Sequence, residues 1–436
     1  MIKIVNNPSF EEWTKLIKRP TLGTKNLNEF VETLFKEVEE KGDIAIRDYA
    51  RQFEGIVPVD FRVSESEIAA AIAKCPIELQ TAIKAAACNI EKFHSVSQPL
   101  TETIETTTGV WCSRKTLPIK RVGLYIPGGT APLFSTVLML ALPARLAGCG
   151  EVVLCSPPSK DGKIHPAVLF AADLAGVREV YQLGGAQAIA ALAIGTETIR
   201  RVDKIFGPGN QYVTAAKQYA SSKWCAIDMP AGPSELLIIA DETAKPEFVA
   251  ADLLSQAEHG DDSQVVLISN SPLLAERVQK ALAHQIITLP RAKIARKALE
   301  NSLIILFDEL KTAFDFSNAY CPEHLILATE EAQQQVEFVT NAGSVFIGHF
   351  SPESVGDYAS GTNHTLPTAG FARAFSGLST ASFMKTITFQ ELSPQGLLNL
   401  ASVVETMAEA ELLQGHANAV NIRKNFILNN FRNGNQ

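Results

Sequence analysis

Paired cysteines are missing from this 436-residue chain: seven cysteines occur, and no two stand in a Cys-x-x-Cys arrangement. An odd, scattered set argues against a disulfide framework or a cysteine zinc finger and suits a reducing compartment. Positive charge is also in deficit. With a net charge of -8, the chain lacks the basic surplus of a general nucleic-acid binder. Long apolar runs are absent, since the strongest, Ser135 to Leu142, is soon interrupted by Pro143 and Arg145 and reads as a buried helix rather than a bilayer span. The opening Met1-Ile2-Lys3-Ile4-Val5-Asn6-Asn7-Pro8 has neither the apolar core of a secretion signal nor the Arg/Ser bias of a transit peptide, so a cytoplasmic location is expected. Two familiar motifs are lacking as well. Glu258-His259 has no second histidine to complete HExxH, and Gly207-Pro208-Gly209 runs into Asn210-Gln211-Tyr212 instead of completing GxGxxG.

What is present is the composition of an ordinary globular protein, 46% hydrophobic and 20% charged, long enough to predict two or more domains. Apolar spacing predicts helices over Asn26 to Tyr49 and Glu65 to His94. From Arg121 the texture changes. Val122 to Ile126, Val152 to Cys155, Val180 to Leu183 and Lys204 to Phe206 each lead into a Gly- or Pro-rich loop, most followed by an alanine-rich helix. Their spacing of roughly 25 to 30 residues predicts βα units and a parallel sheet. Their loops, Pro127-Gly128-Gly129, Ser156-Pro157-Pro158, Gly184-Gly185-Ala186-Gln187 and Gly207-Pro208-Gly209-Asn210, would then share the usual ligand edge. A second series, 235–239, 264–268, 302–306, 324–327 and 344–347, predicts a second α/β unit. Leu397 to Leu413 is helical by spacing, with a further helix beyond Gly415-His416.

The segment that most needs a functional explanation is Ser255-Gln256-Ala257-Glu258-His259-Gly260-Asp261-Asp262. It ends an apolar helix begun at Pro246, and a helix puts Gln256 and His259 on one face, with Gly260 as the stop. Such nitrogen and oxygen donors suit zinc, manganese or cobalt, although the pair alone is weak evidence and by itself reads better as a capped, solvated helix end. Of the eight histidines, His94, His165, His284 and His349 have ordinary surroundings, whereas His324 follows Glu323, His364 closes Asp357-Tyr-Ala-Ser-Gly361-Thr-Asn-His364, and His416 follows Glu411. In an extended chain Glu323 and His324 point to opposite sides. A bend at Pro322 would aim both into one pocket as general acid/base groups; a solvated loop pair is the plain alternative. Cys112 and Cys149 are candidate thiols for aldehyde chemistry, but only Cys112 has a nearby base, Arg114, and buried small hydrophobes is the better reading.

Together, Val122-Gly-Leu-Tyr-Ile-Pro-Gly-Gly129, Leu183-Gly-Gly-Ala-Gln187, Phe206-Gly-Pro-Gly-Asn210, Ala231-Gly-Pro-Ser-Glu235, Ser255-Gln-Ala-Glu-His259, Cys321-Pro-Glu-His324, Ser354-Val-Gly-Asp357 and Glu411 through His416 closely resemble the histidinol dehydrogenase family along nearly the whole chain. The resemblance implies two incomplete, doubly wound Rossmann-like α/β domains with small helical N- and C-terminal extensions. It implies an extension over 1–23, a first domain of 24–113 with 236–375 carrying zinc and catalytic residues, an NAD domain over 114–235 and a helical dimerisation segment over 376–436. The implied activity is zinc-dependent oxidation of L-histidinol to L-histidine through the aldehyde, with two NAD+ reduced, the last step of histidine biosynthesis. By the same resemblance, zinc, one ion per subunit, would be held by Gln256, His259, Asp357 and His416. His324 would be the base of alcohol oxidation, and Glu323 would activate water for the aldehyde. Ser234, His364 and Glu411 would join the metal ligands and His324 in touching substrate, while Tyr125, Gln187 and Asn210 would touch NAD. The implied assembly is a homodimer in which Glu411 and His416 serve the neighbouring subunit. Competing readings are a zinc hydrolase using Glu323 to activate water and a non-enzymatic ligand-binding protein, which would leave Glu323-His324 idle.

Overall fold

The computed structural model describes residues 2–19, 27–96, 102–128, 131–229 and 232–432, with no side-chain detail at 431–432. Asn26, Gly129 and Ala231 of the predicted segments lie outside them. In chain order the strands are β1 (Lys3–Asn6), β2 (Glu102–Thr107), β3 (Val110–Pro118), β4 (Arg121–Tyr125), β5 (Glu151–Ser156), β6 (Glu179–Gln182), β7 (Lys204–Phe206), β8 (Ala226–Ile227), β9 (Glu235–Ala240), β10 (Gln264–Ser269), β11 (Leu303–Leu306), β12 (His324–Ala328), β13 (Ser344–Ile347) and β14 (Met384–Leu392). The chain divides into two compact units, one of residues 1–97 with 119–383 and one of 98–118 with 384–436.

The first unit is mixed α/β and holds two parallel sheets. One runs β6-β5-β4-β7-β8, the order of a six-stranded Rossmann sheet that lacks its last strand, with its switch point between β4 and β7. The other runs β1-β11-β10-β9-β12-β13 and reverses direction between β9 and β12. Both predicted strand series are present. Their near-continuous apolar runs are explained by burial on two faces: every residue of β4, β9, β10 and β12 is buried.

Two features differ from the sequence reading. Residues 3–6 form an edge strand parallel to β11, so the N-terminal segment belongs to a sheet instead of standing outside the domains. Four residues carry too little periodicity to announce a strand. The helices over 27–94 also depart from the expected grouping of 24–113 with 236–375. Val31, Leu34, Phe35 and Ile46 share a core with Ile189, Leu192 and Val213 of the half built on the five-stranded sheet, and 77–94 packs beside the helix Phe134–Ala147. Helix packing follows apolar faces and not chain order. The predicted long helices are each broken once, at Gly42 (φ 53°) and near Pro76.

The second unit pairs β2 and β3 as an antiparallel hairpin, with β14 antiparallel to β3. The helices Pro394–Ala410 and Gln414–Arg432 pack on each other, as the spacing predicts for 397–413. No described helix is long and apolar enough to cross a membrane.

Candidate active site

A cavity of about 580 Å³ opens in the first unit, within the range of small-molecule sites. Its walls come from opposite edges of the two sheets. Pro127 and the Pro208-Gly209-Asn210 loop follow β4 and β7 at their carboxyl ends, whereas Ser234, Glu323 and His324 stand at the amino ends of β9 and β12. The switch-point rule therefore holds for the cofactor-type sheet, and the second sheet offers its amino edge instead.

Glu323 and His324 both reach the cavity because the chain bends before β12. Cys321 is left-handed (φ 55°), a conformation that proline normally disfavours in the residue before it. The amides of Gly343 and Ser344 brace the bend on the carbonyls of Pro322 (2.9 Å) and Glu323 (2.9 Å). Glu323 and His324 are 6% and 3% exposed, which sets aside the solvated-pair alternative. Both are held by one residue. The Glu235 N–H donates to Glu323 Oε2 (2.8 Å), and its carbonyl accepts from His324 Nδ1 (3.2 Å).

The His324 Nε2 faces Asp357 Oδ1 at 3.4 Å, and neither atom has a hydrogen-bond partner. Burial opposes protonation of His324 and is the largest single effect, yet Glu323, Asp357 and Glu353 together outweigh it and raise its pKa well above the ordinary imidazole value. Burial pushes the Glu353 carboxyl up. Burial would also raise Asp357, but His324, His364 and His259 hold it below the usual range. His364 is kept neutral mainly by burial. Its Nδ1 donates to the Asp357 carbonyl (2.8 Å), leaving Nε2 to accept from Thr136 Oγ1 (3.0 Å).

The predicted metal ligands divide. Gln256, His259 and Asp357 line the one cavity, but the helix Pro246–Ala257 ends before His259, which follows on a turn (its N–H to the Gln256 carbonyl, 3.2 Å). Gly260 is thus not the stop. Gln256 is buried, with its amide nitrogen toward Glu353 (2.5 and 3.2 Å) and its oxygen toward the Glu235 N–H (3.3 Å) in the orientation that satisfies both. Among the described residues no cluster of three His, Cys, Asp or Glu is already drawn in to hold a metal. The unpartnered Asp357 oxygen, the exposed His259 ring and the surrounding carboxylates nevertheless suit a divalent cation. His416 and Glu411 belong to the second unit, where both are exposed.

Of the predicted NAD contacts, Asn210 lines the cavity and caps the helix Gln211–Lys223, accepting from Tyr212 N–H (3.0 Å) and Val213 N–H (3.1 Å). Tyr125, the last residue of β4, and Gln187, in the first turn of the helix Gly185–Ile194, are buried and do not line the cavity. The Tyr125 hydroxyl accepts from Gly185 N–H (3.1 Å), and Gln187 donates to Glu54 (2.8 Å). Sequence reasoning missed Glu54, Glu235, Glu353 and the buried Lys217–Asp228 pair. That pair grips Gly207 by its carbonyl (2.7 Å) and its amide (2.8 Å). Glu235 ends the Ala231-Gly-Pro-Ser-Glu235 motif without a role being assigned to it, the others stand in none of the quoted motifs, and only tertiary packing gives them partners.

Gly- and Pro-rich loops on one sheet edge and a buried carboxylate–imidazole pair on the facing edge fit an NAD-dependent dehydrogenase, and that is the class of the chain. The histidinol dehydrogenase family model matches residues 17–424. Histidinol dehydrogenase of Bacteroides thetaiotaomicron is 54% identical over 98% of this chain and 99% of its own length, and that of Xylella fastidiosa 53% identical over 94% and 95%. The crystal structure of histidinol dehydrogenase from Elizabethkingia anophelis superposes with a TM-score of 0.94, at 52% identity over 98% of both chains. The chain belongs to the histidinol dehydrogenase family.

Proposed function

We propose that the protein oxidises L-histidinol to L-histidine through the aldehyde, reducing two NAD+, as the final step of histidine biosynthesis in the cytoplasm. The observation that carries this reading is the Glu323-His324 pair, buried side by side and facing the Asn210 loop across the same cavity. A four-electron oxidation needs more than one proton acceptor, and the pair supplies two of different kind.

A zinc ion on Gln256, His259, Asp357 and the partner subunit's His416 would hold the imidazole and amino nitrogens of histidinol, and its charge would offset the carboxylate field that raises the pKa of His324. NAD+, when bound, is the hydride acceptor; Tyr125, Gln187 and Asn210 are its proposed contacts, at the edge where the helix Gln211–Lys223 offers its N-terminus to phosphate. His324 takes the hydroxyl proton in the first oxidation. Glu323 takes the proton of the water that adds to the aldehyde, setting up the second. Ser234 and His364 orient substrate from the cavity wall, and the partner subunit's Glu411 closes it. The second unit supports a homodimer: Ile104, Phe389, Met407, Ile422 and Phe426 are each at least 47% exposed, more large apolar surface than a monomer ordinarily leaves bare.

Glu323→Gln tests the division of labour. Oxidation of histidinal should slow on the order of 100-fold, with histidinol oxidation slowed far less, measured as separate half-reactions. Equal slowing of both would remove the assigned role of Glu323.

A further inference from the structure

Glu235 holds both members of the proton-transfer pair through its backbone, so whatever fixes Glu235 fixes their geometry. Its side chain is 1% exposed and points away from the cavity into an ion pair with Arg19, whose Nε and Nη2 meet the two carboxylate oxygens at 2.8 and 2.9 Å. The same guanidinium donates to the carbonyls of Tyr320 (2.7 Å) and Ile17 (2.8 Å) and lies 3.6 Å over the centroid of the Tyr320 ring. Tyr320 immediately precedes Cys321, where the chain bends to present Glu323. Its hydroxyl donates to Gln264 Oε1 (2.8 Å) at the head of β10. A further contact, Ala369 N–H to Glu235 Oε1 (2.7 Å), ties the loop after His364 to the same carboxylate.

One guanidinium thus clamps the start of β9, the bend before β12 and, through Glu235, the loop that follows His364. Its own position is set by β1 along β11 and by Trp13, which is packed on Phe307 and Phe316. We propose that Arg19 is a positioning residue for the dehydrogenase reaction: it locks Glu235, whose amide and carbonyl aim Glu323 and His324. A planar fork that is bidentate on a carboxylate and stacked on an aromatic ring cannot be replaced by an ammonium without losing orientation. The proposal rests on the functional reading above.

The test is steady-state kinetics of Arg19→Lys and Arg19→Ala beside the wild type, on protein whose folded fraction and bound zinc are matched. Because a misplacement of ~1 Å can cost about 100-fold in rate, kcat should fall roughly tenfold in Arg19→Lys and about 100-fold in Arg19→Ala. KM for histidinol and NAD+ should stay within about twofold, since no ligand contact is removed. Added guanidinium ion should restore part of kcat to Arg19→Ala. Normal kcat in folded Arg19→Lys overturns the proposal, whether or not Arg19→Ala folds. So does a loss wholly accounted for by a smaller folded fraction, or one that appears in KM alone. A wild type without histidinol-dependent NADH would take down the functional reading as well, whereas an active wild type with unaffected variants removes only the role of Arg19.

Discussion

Glu54 is a carboxylate the structure places where ionisation is costly. Burial raises its pKa from 4.5 to about 7, against the Gly184 amide and Gln187 side chain that donate to it, and its Oε2 is buried without a partner. The folded protein therefore keeps a proton there that the unfolded chain releases earlier. Stability associated with Glu54 is present below pH 4.5 and is lost as pH rises through about 7. Glu54→Gln should gain Tm relative to wild type between pH 5 and pH 8; a Tm difference that does not change with pH would contradict this. At this scale the sequence was readable where residues stood in motifs. Gln256, His259, Glu323, His324, Asp357 and His364 line one cavity; their sequence surroundings single them out, and the resemblance supplies their expected roles. Arg19, Glu54 and Glu235 were assigned no role, because their roles rest on contacts with residues 88 or more positions away.

At the scale of elements, apolar runs located nine strands of the two parallel sheets, four of them leading into Gly- or Pro-rich loops. The signal is clearest in β4, β9, β10 and β12, which are buried along their whole length and so apolar on both faces. A bend at Pro322 was open in the sequence, but the left-handed Cys321 that makes it and the turn that carries His259 beyond its helix were not. Backbone conformations such as Cys321 at φ 55° arise from tertiary bracing and leave no pattern in residue type. The loop after β7 shows the opposite case. Gly207 adopts φ 125°, and a Cβ there would press on the Tyr125 carbonyl, so glycine is required on both counts. Gly207→Ala should strain the loop by roughly 1–3 kcal/mol and raise KM for NAD+ on the order of tenfold with bound zinc unchanged. An unaltered KM for NAD+ would separate this loop from cofactor binding.

At the scale of the whole molecule, the first unit gathers the cofactor-type loops and the proton-transfer pair but only three of the four proposed zinc ligands. The fourth, His416, lies in a unit whose apolar residues are widely exposed, the arrangement expected if a partner completes the site. Chain order could not reveal that the N-terminal helices pack on the cofactor half, because amphipathic spacing tells which face is buried and not what buries it. The central claim is a zinc-dependent, four-electron oxidation of histidinol, and NADH absorbance on mixing the protein with L-histidinol and NAD+ tests it most directly. The account predicts two NADH per histidinol consumed, loss of the signal after chelation and its return with zinc. No histidinol-dependent NADH with zinc present would contradict it.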